Sequence, residues 1–341
     1  MAAETPIGLD IGAMSIRAVE TARGKDGLAV SHFGIAPLPP GSMRAGVVVD
    51  QPVVSAALRK LWSQTKFRSR DVVLGISNPQ IVVREMVVTN LPPRELKQSL
   101  PFQVRDSLPL PVERSLLDFF PLEDAGDRKT VRGLLIAAPK DAVLSEVKAA
   151  AKAGLKVVRV DLASFALLRS SSRLDHQVEA LVDIGAQTTT VVVHLDGVPR
   201  IVRSVPRGGA EITEAIVARF GVSAEEAEAL KCRVGLQLHE GPEVAELIRE
   251  SLRPLVNEIR SSFTYLTAGD QTTTVRRISL TGGGAQLAGL VETLRVQLEM
   301  DVILADPIMR LTRPSRGKHD SLDRSRSSAA VSIGLSLGAA A

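Results

Sequence analysis

The sequence predicts an α/β protein made of two related halves, with a compact α+β subdomain inserted into the first. Three observations carry that expectation. The tetrapeptide Asp10-Ile11-Gly12-Ala13 recurs as Asp183-Ile184-Gly185-Ala186. Each copy ends an apolar run, precedes hydroxyl residues (Ser15 in the first, Thr188, Thr189 and Thr190 in the second) and leads straight into a second strand-like run, so one kind of hairpin opens both halves. Between the copies, residues 83–160 follow the order strand, helix, strand, strand, helix, strand, an α+β unit of its own.

Taken in order, residues 7–10 are apolar up to the aspartate and 15–20 alternate, giving strand, tight turn, strand. Pro37, Pro39, Pro40 and Gly41 mark a turn. Residues 53–65 have helical spacing through Val54, Leu58, Leu61 and Trp62, and 72–77 form a short β-branched run stopped by Asn78-Pro79. In the insertion, strands are expected at 83–89, 118–122, 131–138 and 157–160, with helices from Pro92-Pro93 through Arg105 and over 140–153, the latter closed by Gly154. The second half begins with strands ending at Asp183, at 187–195 and at 201–205, the last two joined by Asp196-Gly197. Helices follow at 211–220, 224–232 and 242–267, then a strand at 277–280, Gly282-Gly283-Gly284, and a helix over 287–299. Residues 307–328 are basic and aperiodic, a long loop, before a small-residue apolar helix over 329–341.

A length of 341 residues, 45% apolar and 23% charged, belongs to a globular protein with real cores. The net charge of +4 is weak, and 3% aromatic residues leave few stacking platforms for single-stranded nucleic acid, so no nucleic-acid partner is expected. Cys232 is the single cysteine, which excludes an internal disulfide and fits a reducing cytosol. No apolar run is long enough to cross a bilayer, and the first residues lack the pattern of a signal peptide. Membrane association is therefore expected only through partners. His32, His176, His194, His239 and His319 have no metal-ligand spacing and are expected at the surface or as incidental residues.

The repeated hairpin suits phosphate. A glycine at the tip lets backbone N–H groups approach an anion and nearby hydroxyls add donors. An aspartate at the strand end would repel phosphate unless a hydrated divalent cation lies between, the role that Mg²⁺ fills. Thr281 through Ala285 place three glycines between strand and helix, where a base and ribose could lie flat against backbone, although by itself such a cluster is more often a turn.

On these residues the chain resembles the actin, heat-shock chaperone and sugar kinase superfamily, with its phosphate 1, phosphate 2 and adenosine motifs similar to residues 10–17, 183–190 and 281–285. The insertion stands where FtsA and PilM carry theirs. The strings 72–77, 83–85, 137–140 and 331–337 are similar to PilM in particular. The resemblance implies an actin-like ATPase fold of two ribonuclease H-like domains with an FtsA/PilM-type α+β subdomain. It implies a first domain core at 1–82 and 161–180, the insertion at 83–160, a second core at 181–210 and 256–341 with the last helix free to return to the first, and a helical subdomain at 211–255.

It also implies ATP and Mg²⁺ as ligands. Asp10 and Asp183 would hold the metal through water, and Gly12, Ala13, Met14, Ser15, Arg17, Gly185, Gln187 and Thr188 would surround the phosphates. Gly208 and Gly209 would approach the nucleotide, Glu228 and Lys231 would bracket ribose and adenine, and Gly282, Gly283, Gly284 and Ala285 would carry the adenosine. Without that likeness, Glu228 and Lys231, which share a helix face at i, i+3, read as a solvated ion pair. Met14 and Arg17 depart from the residues usual at their positions. No residue stands out as a hydrolytic base, Ser164 being the polar exception in an apolar helix over 162–168; hydrolysis is expected to be slow or absent, with ATP a conformational ligand.

The PilM likeness implies a cytoplasmic scaffold of the type IV pilus platform at the inner membrane. Its partners would be the N-terminal cytoplasmic peptide of PilN, in a groove between the first domain and the insertion with residues 83–117 as the region of contact, together with other platform proteins and the pilus motor ATPases. An FtsA-like division protein or other actin-like ATPase, and after them a small-molecule kinase, are the rival readings. The terminal helix lacks the Lys, Arg and Trp of an interfacial anchor, and the chain spends on the insertion the length a kinase gives its acceptor pocket.

Overall fold

A computed structural model describes residues 5–24, 27–123, 126, 128–267, 274–312 and 320–340. The first half runs β1 (Ile7–Ile11), β2 (Ser15–Gly24), β3 (Gly27–Pro37), the small hairpin β4 (Met43–Arg44) and β5 (Val47–Val48), α1 (Gln51–Thr65) and β6 (Asp71–Ile76). The insertion supplies β7 (Val82–Thr89), α2 (Pro93–Gln103), β8 (Ser115–Pro121), β9 (Thr130–Pro139) and α3 (Lys140–Lys152); β10 (Lys156–Leu162) and α4 (Ala163–Ser171) follow. The second half contains β11 (Val178–Ile184), β12 (Thr189–Leu195), β13 (Val198–Val205), α5 (Gly209–Phe220), α6 (Ala224–Val234), α7 (Pro242–Thr267), β14 (Arg277–Thr281), α8 (Leu290–Leu298), β15 (Asp301–Leu304), α9 (Asp320–Ser325) and α10 (Ala330–Ala340).

Among the described residues, the strands form two five-stranded sheets with one topology. The first has the order β3-β2-β1-β6-β10 and the second β13-β12-β11-β14-β15. In both, the first three strands make an antiparallel meander and the last two run parallel to its inner strand. The repeated tetrapeptide therefore marks a repeated sheet. The inserted β7, β9 and β8 pair antiparallel as a separate three-stranded sheet.

Sheet faces follow the period of two in the sequence. Ile7, Leu9 and Ile11 of β1 and Val72, Leu74 and Ile76 of β6 point into a core with α1, including Val54, Leu58 and Leu61. On the opposite face Gly8 and Gly75 make room for α10: a Cβ on Gly8 would lie 2.2 Å from the Ser332 carbonyl oxygen, and one on Gly334 would lie 1.8 Å from that of Ala166 in α4. The last helix thus packs on β1, β2, β6 and α4, all of the first half or its junction.

Several elements differ from the sequence reading. The sequence reading has no strand at β3, β4, β5 or β15: in β3 the apolar residues Leu28 and Val30 fall out of step with Phe33 and Ile35, because the pairing with β2 shifts register between Glu20 and Thr21. Within the stretch read as a loop, α9 forms a short helix, while residues 313–319 lie outside the described residues. The helix expected over 287–299 begins only at Leu290: a separate 3₁₀ turn at Gly284–Gln286 ends at the extended Leu287, and the left-handed Gly289 precedes α8. Among the histidines, His194 is neither exposed nor incidental. It is fully buried opposite Glu179 in the β11–β12 ladder, its Nε2 3.1 Å from Glu179 Oε2, and its Nδ1 accepts from the Gly197 N–H. Arg277 joins the same carboxylate at 3.1 Å and Asp175 at 2.9 Å, and Ser279 donates to Glu179 at 2.5 Å. Burial of such a charge is tolerable because each group has a partner. His319 lies outside the described residues.

Candidate functional site

The two acidic hairpins are equivalent bond for bond. Asp10 pairs with Arg17 and Ile11 with Ile16 in the first; Asp183 pairs with Thr190 and Ile184 with Thr189 in the second. Each turn closes with the glycine N–H donating across the tip, from Gly12 to the Ser15 carbonyl and from Gly185 to that of Thr188, both at 3.0 Å. Both tips end β-strands at the carboxyl edge of their sheets and line one cleft of about 1120 Å³.

The third wall is the loop after β14. Gly282 has φ +87°, and a Cβ there would stand 2.6 Å from Asp183 Oδ1 and 2.5 Å from the Ile184 carbonyl oxygen, so only glycine fits. At Gly283 a Cβ would meet nothing within 4 Å; its bare backbone faces the cleft. The loop is held from behind by Ser327, whose carbonyl accepts from the Gly282 N–H at 3.0 Å and the Thr281 hydroxyl at 2.7 Å.

The far wall comes from α5 and α6. A capping box of Ser223 and Glu226 starts α6 and directs Glu228 and Lys231 inward. Lys231 Nζ donates to the Gly209 carbonyl at 3.1 Å, Thr213 Oγ1 at 2.9 Å and Glu228 Oε2 at 2.6 Å, and Thr213 donates to the same Glu228 oxygen. This is a semi-buried cluster rather than a solvated surface pair.

Of the residues singled out from the sequence, Asp10, Gly12, Ala13, Met14, Ser15, Arg17, Asp183, Gly185, Gln187, Thr188, Gly209, Glu228, Lys231, Gly282, Gly283 and Gly284 all border the cleft. Gly208 and Ala285 do not. Gly208 is pressed against the second hairpin, where a Cβ would lie 2.4 Å from the Gly185 carbonyl oxygen, and Ala285 is in the core of the second half. The N–H groups opening α5 are also spoken for: Gly209 donates to Gly185 and Ala210 to Ala186, at 2.9 and 2.8 Å. Sequence reasoning missed Thr213, one turn into α5 from Gly209, and the side-chain role of Gln187. The Gln187 amide spans to the β4–β5 hairpin, accepting from the Ala45 N–H at 2.9 Å and donating to the Met43 carbonyl at 3.3 Å.

The electrostatics are unbalanced. Arg17 Nη1 lies 3.5 Å from Asp10 Oδ2, and its Nε is buried without a hydrogen-bond partner. Burial still pushes the Asp10 carboxyl above its ordinary value, with Arg17 opposing. Asp183 has threonine where Asp10 has arginine; burial, then the charge of Asp10, push it up to about 7. Burial and then the charge of Asp10 also push up the Glu146 carboxyl of α3. Two carboxylates share one guanidinium, a charge deficit that a cation would fill.

Two copies of one five-stranded sheet, closing on a cleft through paired acidic hairpins and a glycine loop, define an actin-like α/β protein. Comparison with known sequences makes the class specific. The chain belongs to the family of the type IV pilus assembly protein PilM, whose model matches residues 8–340. It is similar to the cell division protein FtsA of Bacillus subtilis (strain 168), 23% identical over an alignment 357 positions long that covers 89% of this chain and 79% of that protein. Among solved structures, the PilM-PilN type IV pilus biogenesis complex superimposes with a TM-score of 0.87 at 27% identity, covering 99% of both chains. MreB5 of Spiroplasma citri bound to ADP shares the fold, with a TM-score of 0.55 at 14% identity over 98% of this chain and 96% of that one. Among the described residues no helix is long and apolar enough to cross a membrane.

Proposed function

We propose that the chain is a nucleotide-binding scaffold of a type IV pilus assembly platform, holding Mg·ATP in the cleft and the N-terminal segment of PilN beside the inserted sheet. The likeness to the PilM-PilN complex across 99% of both chains is the observation that carries this reading. The family supplies the process, and the cleft supplies the ligand chemistry.

The residues present fit Mg·ATP. Asp10 and Asp183 exceed the positive charge of Arg17 between them, and among the described residues no group of three or more His, Cys, Asp or Glu forms a metal site; a hydrated Mg²⁺ bridging phosphate oxygens suits that donor set. The partnerless Arg17 Nε and the hydroxyls of Ser15 and Thr188 face the phosphate end. Gly283 offers bare backbone to the adenosine, with Glu228 and Lys231 on the opposite wall. The division into 1–82 with 161–180, 83–160, 181–210 with 256–341, and 211–255 belongs to this reading, the last helix returning to the first half on which it packs, with ATP acting as a conformational ligand.

For PilN, β8 and β10 are the outer strands of their sheets, and the Phe120 ring at the end of β8 packs 5.3 Å from that of Phe165, three residues beyond β10. Leu116, Phe120, Val158 and Val160 are exposed along these edges, suited to an extended peptide that pairs through its backbone. Such a partner places the protein at the cytoplasmic face of the inner membrane. Titrating the PilN N-terminal peptide into the protein, with and without Mg·ATP, tests the reading. Saturable peptide binding that responds to nucleotide is expected; turnover of a small phosphate acceptor with no peptide binding would contradict it.

A further inference from the structure

The β4–β5 hairpin has no part in either five-stranded sheet, yet its hydrogen bonds reach three separate places. Its first attachment is Gln187, at the tip of the second acidic hairpin: both ends of the side-chain amide are bonded to Met43 and Ala45, as described above. The second is Asn78, whose Nδ2 donates to the Ala45 carbonyl at 2.8 Å while its Oδ1 accepts from the Gln80 N–H at 2.8 Å. The third is Ser145 of α3, whose hydroxyl accepts from the Val48 N–H at 3.1 Å.

These attachments are well defined. Asn78 is 6% exposed and Met43 1%. Ala45 and Gly46 both have positive φ, +49° and +74°, and a Cβ on Gly46 would lie 2.0 Å from the Ser77 carbonyl oxygen. A turn held so closely moves as a unit, because packed elements shift between discrete arrangements rather than deform smoothly.

Asn78 and Ser145 flank the inserted sheet at its two points of entry. Asn78 lies in the link from β6 to β7, and Ser145 lies in the helix that follows β9 directly. The hairpin therefore connects the tip of the second acidic hairpin to both stems of the insertion. We propose that the β4–β5 hairpin is a relay that transmits a displacement of Gln187 to the inserted sheet through Asn78 and Ser145. The inference rests on the nucleotide reading only for what displaces Gln187: phosphates seated against the Gly185–Thr188 backbone would shift the residue whose side chain holds the relay.

Hydrogen exchange on the full chain tests it in two arms. Without nucleotide, Gln187→Ala should speed exchange at the Ala45 and Val48 amides and also across residues 77–83 and 140–148, by about fivefold or more, the lower end of ordinary site-to-site coupling. Faster exchange confined to residues 43–48 would overturn the relay. With saturating Mg·ATP, the wild type should change protection in both stems. Asn78→Ala with Ser145→Ala should bind Mg·ATP within about threefold of wild type yet show no change there; a preserved response would overturn the relay. Should the double variant fail to fold, Asn78→Ala alone serves, with the response at 77–83 lost. If the wild type does not bind Mg·ATP, the nucleotide reading fails, and the first arm still decides the relay.

Discussion

Arg17 stands opposite Asp10 in the β1–β2 ladder, its Nη1 3.5 Å from Oδ2, and the equivalent position opposite Asp183 is Thr190. One duplicated hairpin has thus acquired a countercharge and the other has not. Burial, then the charge of Asp10, push the Asp183 carboxyl up to about 7, and Thr190 opposite it brings no charge to oppose them.

The first prediction concerns Asp183. Folding raises its carboxyl from 3.8 to about 7, so its contribution to stability is fully present below about pH 3.8 and is lost as pH rises through about 7. Without nucleotide, Asp183→Asn should be more stable than wild type at about pH 8, with the difference shrinking towards about pH 4, as read by urea unfolding. Mg²⁺ needs the ionised carboxylate, so wild-type Mg·ATP affinity should climb by up to about tenfold per pH unit below 7. The variant should bind at least about tenfold more weakly at about pH 8.

Glu179 has the opposite sign. Its hydrogen bonds, led by those from His194 and Ser279, outweigh burial and pull it from 4.5 down to about 2. Its stabilisation is present above 4.5 and is lost as pH falls towards about 2. Glu179→Ala should lose about 3 kcal/mol at neutral pH, since Arg277 and His194 remain buried with a partner removed. Its unfolding free energy should then fall less steeply than that of wild type between about pH 5 and 2.

The seam between α10 and α4 predicts a steric effect. Gly334→Ala places a methyl 1.8 Å from the Ala166 carbonyl oxygen, and overpacking against backbone costs about 1–3 kcal/mol or more. Gly24→Ala, whose methyl would come no nearer than 3.7 Å to the Gly27 carbonyl oxygen, should change stability by less than about 0.5 kcal/mol. Thermal melts of the pair separate close packing from a general intolerance of alanine.

Lys231 tests the far wall. Its ammonium ties Gly209, Thr213 and Glu228 together. Lys231→Ala should weaken Mg·ADP binding by about tenfold, roughly one charge-assisted hydrogen bond with its ordering. Isothermal titration would show it, and unchanged affinity would remove α6 from the site.

Much of this was legible because the site is local in sequence. Asp10 through Arg17 and Asp183 through Thr190 are continuous hairpins, and their tips can be read without knowing what lies across the cleft. The limits of α7 were equally plain, its amphipathic period running unbroken over Pro242–Thr267. What escaped depends on distant partners. β3 hides its alternation, because its pairing with β2 shifts register between Glu20 and Thr21 and sets Leu28 and Val30 out of step with Phe33 and Ile35; Gly34 within it is needed because Thr65 Oγ1 would lie 2.3 Å from a Cβ. The Glu179–His194 pair had one readable signal: the register that sets Asp183 opposite Thr190 also sets Glu179 opposite His194. The Gln187 contact had none, since the partner hairpin is more than a hundred residues away and only four strand residues long.

Cys232 offers the most direct test of the cleft. It is exposed, it is the single cysteine of the chain, and it borders the cleft beside Lys231. Partial burial of the thiol, then the charge of Glu228, hold it above the ordinary value, so alkylation by a maleimide is best followed at about pH 8. Saturating Mg·ATP should slow that alkylation by about tenfold or more in wild type, and Asp183→Asn should need at least about tenfold more Mg·ATP for the same protection. An alkylation rate unmoved by Mg·ATP in the wild type would contradict the assignment of this cleft to a nucleotide.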